Sequence, residues 1–334
     1  VKQLLLLTLG CVLMTGCGGS DTETVVVYTA LDEMYSRPIL DAFEAETGWQ
    51  VDAVYDTEAA KTTGLVTRLI SEASRPRADV FWNNEVAQTI LLQEKGVLAP
   101  YASANAKTIP PNFKDLDHFW TGFAARARVI IYNTDLLEQA PQSVLELTDP
   151  KWAGKASIAI PLFGTTATHA GALYALWGEE KALQWFKDVK ANDIAILSGN
   201  ATVRDLVAQG EYAWGLTDTD DANGAIEDGL PADWIFPDQA EGGLGTLLIP
   251  NTVALVANSP QPEGGKALID FLLRPETERV LANMRSIQIP LHPGVEAPEK
   301  VPDIADIKPT AVTFADMAAQ MEKAMTQLRE VFLE

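Results

Sequence analysis

From residue 24 onward, short β-branched apolar runs alternate with longer amphipathic ones, and this alternation restricts the fold more than any other feature. The run TVVVYTA at 24–30 reads as a buried strand. Residues 31–47 read as a helix with Met34, Ile39, Leu40 and Phe43 on one side. Gly48 stops it in the usual left-handed position, and Pro38 weakens its first turn. A strand at 51–55, a helix at 58–73, a strand at 79–82 and a helix at 85–95 closed by Gly96 follow. Strand–helix–strand at this spacing requires a parallel sheet with right-handed crossovers, so the fold class is α/β.

A polar connection with Pro110-Pro111 spans 101–118, and ARARVIIY at 125–132 is a strong strand. A second series then runs strand 156–160, helices 167–177 and 179–190, strand 194–197, helix 201–209 and strand 212–217. Another strand covers 246–256, interrupted by Pro250, followed by helices 262–273 and 275–284. The last helix, 311–331, carries Phe314, Met317, Met321, Met325, Leu328 and Phe332 at spacings of three and four, a stripe that suits docking on the body.

With 334 residues the chain is too long for one typical domain and comfortable for two. Lys plus Arg total 25 against 46 Asp plus Glu, a net charge of −21, which disfavours nucleic-acid backbones as partners. The two cysteines, Cys11 and Cys17, both fall in the first seventeen residues, which rules out a zinc-finger, ferredoxin or disulfide framework. Lys2 followed by LLLLTLGCVLMTG describes a secretion signal, an apolar run short of the ~20 residues of a spanning helix. Its end, Leu13-Met14-Thr15-Gly16-Cys17, resembles the lipobox of bacterial lipoproteins. That resemblance implies removal of residues 1–16, acylation of Cys17, and a short tether at 17–23 that holds the body to a membrane outside the cytoplasm.

The segments VVVYTALDEMYSRPILDAFEAETG, ADVFWNNE, LQEKGVLAPY, ARARVIIYNTDLL, LTDPKWAGK and TLLIPNTVALVANSPQPEGGKALIDFLLRPE resemble, in order and spacing, the solute-binding proteins of ABC importers, most closely the ferric-iron-type branch. The resemblance implies a two-lobed periplasmic-binding-protein fold of type II, each lobe a mainly parallel sheet flanked by helices. It implies chain crossings near 119–128 and 243–252. The first lobe would comprise 24–121 plus 250–300, and the second 122–249 plus 301–334. It further implies a monomeric, non-catalytic receptor that closes on a ligand and docks on a membrane permease. The cargo would be Fe³⁺ with a synergistic anion.

In open α/β sheets, ligands bind beyond the carboxyl ends of the strands. In the first lobe those loops hold Tyr28 and Thr29, then Asp56, Thr57 and Glu58, then Asn83, Asn84 and Glu85. In the second lobe, PLFGTTAT places Gly164, Thr165, Thr166 and Thr168 at a helix start, a cradle for an anion, and Asn200 opens a similar smaller one. Helix capping alone also accounts for such residues. Arg126 and Arg128 share a strand face, and one of them is the expected anion anchor, unless it serves an interdomain salt bridge.

The segment 212–221 runs an apolar strand into Asp218, Asp220 and Asp221. From 205 to 265 there are eleven acidic residues and no Lys or Arg. Carboxylates without cationic neighbours would repel one another until a metal ion or an organic ammonium relieved them. Strand alternation would aim Asp218 and Asp220 together and Asp221 away, and a solvated acidic turn is the plainer reading. Ferric-binding members carry two adjacent tyrosines here. This chain has Thr217-Asp218-Thr219-Asp220-Asp221 instead, which leaves Tyr28 and Tyr55 of the first lobe as phenolate candidates, with Tyr28, Asp218 and Asp220 as the expected metal ligands. A second ligand type is therefore open, a small zwitterion such as an aminophosphonate, or an organic amine. A secreted hydrolase is the competing class. Against it, the chain has no G-x-S-x-G, H-E-x-x-H, C-x-x-C or P-loop, and His169 reads as a residue lining a helix face.

Overall fold

A computed structural model describes residues 23–56 and 64–333. The leader, Cys17, most of the tether, Thr57 and Glu58 lie outside the described residues.

The alternating pattern becomes β1 (Thr24–Thr29), α1 (Glu33–Thr47), β2 (Gln50–Tyr55), α2 (Gly64–Glu72), β3 (Val80–Asn83), α3 (Val86–Glu94) and β4 (Leu98–Ala99). The strands β2, β1 and β3 lie side by side and parallel, Val27 facing Ala53 on one side and Val80 on the other. Val25, Val27, Phe81 and Trp82 have no exposed surface, as both-face burial of a parallel sheet requires.

The long strand β5 (Thr121–Asn133) belongs to two sheets at once. Its first half pairs antiparallel with β10 (Leu248–Val256), which itself lies antiparallel to β3. Its second half pairs antiparallel with β8 (Trp214–Asp218) and with β9 (Ala232–Ile235). Beyond β8 come β6 (Ala156–Ala159) and β7 (Ala195–Leu197), both parallel to it. The strand order is thus β2-β1-β3-β10-β5-β8-β6-β7, with β4 on β10 and β9 on β5.

The second half of the sheet is flanked by α4 (Gly164–Trp177), α5 (Glu179–Ala191), α6 (Asn200–Ala208) and α7 (Thr219–Glu227). The helices α8 (Pro262–Leu272) and α9 (Pro275–Ala282) return to the first half, where α8 packs on β1 and β10. The final helix α10 (Phe314–Leu333) buries Met317, Met321, Ala324 and Leu328. It lies on α4 and α5 and also on α3, so it touches both halves of the molecule. A Cβ on Gly171 of α4 would stand 2.7 Å from Met321 Cγ and 2.9 Å from the Met317 carbonyl oxygen, so this crossing needs a glycine.

Sequence reasoning missed α7 and β9. The expected acidic turn after β8 is instead the first turn of a helix, with Asp218 at the cap position and Asp220 and Asp221 just inside. Acidic residues favour that position because four backbone N–H groups and the helix dipole face them.

Candidate functional site

The carboxyl ends of β8 and β6, the start of α4 and the start of α6 meet around Arg128 of β5. Arg128 is fully enclosed. Its Nη1 donates to Asp218 Oδ1 at 2.7 Å, Asn200 Oδ1 at 3.0 Å and Thr165 Oγ1 at 3.1 Å. The other oxygen of Asp218 accepts from Thr165 Oγ1 at 2.7 Å and from Asn200 Nδ2 at 3.0 Å. Thr166 joins through Asn200, at 3.3 Å. Arg126, one strand repeat away, reaches the same cluster: its Nη1 is 3.6 Å from Asp218 Oδ2 and 3.3 Å from Asp220 Oδ2.

Both arginines therefore face inward, as alternation along β5 requires. The reading of the aspartates as carboxylates without cationic neighbours is overturned. Their partners come from β5, and for Asp221 from Arg204 of α6 at 3.7 Å, outside the stretch in which the charges were counted. The expected divergence of Asp221 is corrected too, because the strand ends at Asp218. The helical turn brings one oxygen from each of Asp218, Asp220 and Asp221 within 4.8 Å of the others.

The protonation states follow from these neighbours. Burial pushes the Asp218 carboxyl up, but Arg128 and Arg126 outweigh it and hold the group below the usual range. Asp220 is raised, by burial first. Asp221 is pushed up to about 8 by burial and by the charges of Asp220 and Asp218. Among the described residues this is a cluster that holds protons a cation would displace.

Two hydrogen bonds cross from the first half of the molecule to this cluster. Arg126 Nη2 donates to the Asn84 carbonyl oxygen at 3.0 Å, and Thr168 of α4 donates through its hydroxyl to Glu85. Burial pushes Glu85 up to about 7. Its other oxygen accepts from the Ala87 amide and so caps α3. His169 is nearly enclosed on α4, where burial and the nearby Arg128 push it down to about 3, so it stays neutral.

Among the described residues, four buried atoms in this region have no hydrogen-bond partner: Nε of Arg126, Nε of Arg128, Oδ1 of Asp220 and Oδ1 of Asn84. Two are donors and two are acceptors. Polar atoms buried without a partner are rare in native interiors, and a water or an ion is one way of satisfying them.

Other expected site residues lie elsewhere. Tyr28 is fully enclosed, and its hydroxyl donates to Glu72 of α2 at 2.9 Å, with Arg68 stacked 4.6 Å above the ring. Burial and that carboxylate raise its pKa to about 12, and the hydroxyl is committed to Glu72 of α2 rather than to the aspartate cluster. Thr29 folds back to accept from the Leu31 amide at 3.2 Å. The Asn83 amide is spent on the Glu85 carbonyl and Thr89, which shapes the loop rather than the cluster. Asp56 accepts from the Leu65 amide at the start of α2, at 3.3 Å. Among the described residues the buried hydroxyl of Tyr55 has no hydrogen-bond partner, and burial again raises its pKa.

Glu85 and Thr168 lie in segments already read as facing the cleft, whereas Arg204 was not expected in the site. Arg204 lies four residues after Asn200, on the same face of α6, and that spacing was the available signal.

Comparison with known proteins agrees with this architecture. A family profile described as bacterial extracellular solute-binding protein matches residues 39–309. Iron uptake protein A1 of Synechocystis sp. is 28% identical over 316 residues, covering 91% of this chain and 84% of the relative. A putative 2-aminoethylphosphonate-binding periplasmic protein of Salmonella typhimurium is 26% identical over 264 residues, covering 77% and 76%. Among solved structures, iron-bound HitA from Pseudomonas aeruginosa superposes with a TM-score of 0.82 at 25% identity, covering 93% of this chain and 99% of that one. These relatives are binding and uptake proteins rather than enzymes.

Proposed function

The chain belongs to the family of bacterial extracellular solute-binding proteins, and from that premise we propose that it is the non-catalytic receptor of an ABC importer, whose cargo is ferric iron held together with an oxyanion. Two lobes, 24–121 with 250–300 and 122–249 with 301–334, close on this cargo about the crossings near 119–128 and 243–252. The loaded form is delivered to a membrane permease. The receptor acts as a monomer outside the cytoplasm, tethered through acylated Cys17.

The observation that carries this reading is the unpartnered set of two donors and two acceptors between the halves. A bare cation would leave the guanidinium N–H groups of Arg126 and Arg128 unused, and a bare anion would meet three aspartates. An iron–anion pair answers both: Arg128 or Arg126 grips the oxyanion with its remaining N–H groups, and the carboxylates of Asp218, Asp220 and Asp221 offer hard oxygen atoms to the metal. Thr165, Thr166 and Asn200, already bonded to the Arg128–Asp218 pair, hold these groups in place. The relatives named for iron favour this cargo.

A small aminophosphonate is the second reading. It is favoured by the absence of a tyrosine pair after β8 and by a relative named for such a ligand. A thermal-shift panel on metal-stripped protein separates the two. Ferric citrate at a hundred times its dissociation constant is expected to stabilise by ~2.7 kcal/mol, a rise of several degrees that neither citrate nor Fe³⁺ with a non-coordinating counter-ion matches. A larger shift with 2-aminoethylphosphonate would replace iron as the cargo. No shift with any of them would reject the receptor reading as stated.

A further inference from the structure

The crossing strand β5 has one residue too many for its ladder with β10. Ala125 faces Pro250 and Phe123 faces Asn251, so Ala124 is left over as a bulge. Its φ is +42°, a left-handed conformation that alanine avoids. A bulge bends its strand and redirects the side chains that follow. Those side chains are Arg126, two residues on, and Arg128, four residues on.

Both backbone groups of the bulge are taken by side chains. The Ala124 amide donates to Glu278 Oε1 at 2.7 Å, and its carbonyl accepts from the Asn251 side chain. Glu278, on α9, has no exposed surface and accepts three further bonds. Two come from the amides of Leu291 and His292, at 2.9 and 2.8 Å, and one from His292 Nδ1 at 2.8 Å. The other ring nitrogen of His292 lies 2.9 Å from the Asn105 carbonyl oxygen. A carbonyl oxygen and a carboxylate only accept, so both ring nitrogens carry protons and the ring is an imidazolium.

We propose that Glu278 and His292 are positioning residues for the ligand site: the buried charged pair pins the Ala124 bulge and thereby sets the aim of Arg126 and Arg128. The carboxylate bridges α9, the segment 291–292 and β5, and the imidazolium ties this knot to the turn at 104–107. The charges around the ring are those of Glu278 and, further away, Glu276, both on α9; the turn contributes its carbonyl. Burial lowers the pKa of His292, but Glu278 outweighs it and the net direction is up. The pin is therefore whole while the ring keeps both protons, below its raised pKa. It loosens as pH rises through that raised value, when one bare ring nitrogen comes to face an oxygen lone pair.

The test combines hydrogen exchange at Ala124 in unliganded protein, corrected for intrinsic rates, with titration by ferric citrate. In the wild type, the Ala124 amide is expected to be protected at pH 6 and to lose protection at pH 9. Glu278→Gln, which presents an N–H to a donor, should lose protection at both pH values and bind ferric citrate about tenfold more weakly, the scale of one charged hydrogen bond. His292→Asn, whose amide replaces Nδ1–H without titrating, should restore protection at pH 9. It should also remove the part of the alkaline fall in affinity that Glu85 and the aspartates do not cause. Equal exchange in all three proteins at both pH values would overturn the proposal, as would unchanged ferric citrate affinity in a Glu278→Gln protein whose Ala124 amide is exposed. The affinity arm rests on the receptor reading and the exchange arm does not. If ferric citrate binds no form of the protein, that reading fails while exchange still decides the pin. If Glu278→Gln does not fold, the wild type and His292→Asn decide it.

Discussion

Asp221 carries the least compensated charge in the cluster. Its nearest guanidinium nitrogen, on Arg204, is 3.7 Å away, while Asp218 and Asp220 crowd it. Its pKa is about 8 in the folded protein against 3.8 for the free group. A raised carboxyl contributes stability below its unfolded pKa and loses it as pH rises through the folded value. The folded protein thus weakens between about pH 4 and pH 8 on account of this residue. Asp221→Asn removes the titration. It is expected to be as stable as the wild type near pH 4 and clearly more stable than it at pH 9. Urea unfolding at the two pH values measures the difference. An equal gain at both would show that Asp221 is not the titrating group. Asp218 behaves in the opposite sense: held low by Arg128 and Arg126, it stabilises at neutral pH and ceases to do so in acid.

At the scale of elements, the seam between α4 and α10 is set by Gly171, which admits Met317 and Met321. Gly171→Val forces a branched side chain against a backbone carbonyl 2.9 Å from its Cβ, and overpacking of this kind costs about 1–3 kcal/mol. Thermal denaturation should show the loss; an unchanged midpoint would mean that α10 shifts freely. Most elements could be read from the sequence because their signals are local. Apolar alternation marked β1 to β3 and β5, and the 3–4 spacing of Met317, Met321 and Leu328 marked the buried stripe of α10. The start of α7 was missed because an apolar strand running into several aspartates also looks like a turn, and only the tertiary fold shows that the chain coils there. The site was half legible for the same reason. Arg126, Arg128, Thr165, Thr166, Asn200 and the three aspartates could be found from strand ends and helix starts. That the arginines and aspartates neutralise one another depends on β5 lying beside β8, a pairing of residues ninety apart in the chain. Tyr28 illustrates the opposite failure. A strand-end tyrosine was expected to face the ligand, but its ring turned to the side where α2 offered Glu72 and Arg68.

Over the whole molecule, the two halves share a strand. The first part of β5 completes one set of ladders and the second part another, with no loop between them. Loss of either half would unzip an edge of the other and expose the buried Val129, Ile130 and Ile131. Calorimetry is therefore expected to show one transition, with the van't Hoff and calorimetric enthalpies equal within about 10%. Two resolved peaks would mean that the halves melt independently.

The last helix adds an order of assembly to this arrangement. Because α10 rests on α3 from the first half and on α4 and α5 from the second, its seat does not exist until both have formed. The helix follows α3, α4 and α5 in the chain, so its methionine stripe stoppers an apolar groove that those three have already built. A chain cut before Phe314 would keep every strand from β1 to β10 and carry a sticky wound along one side.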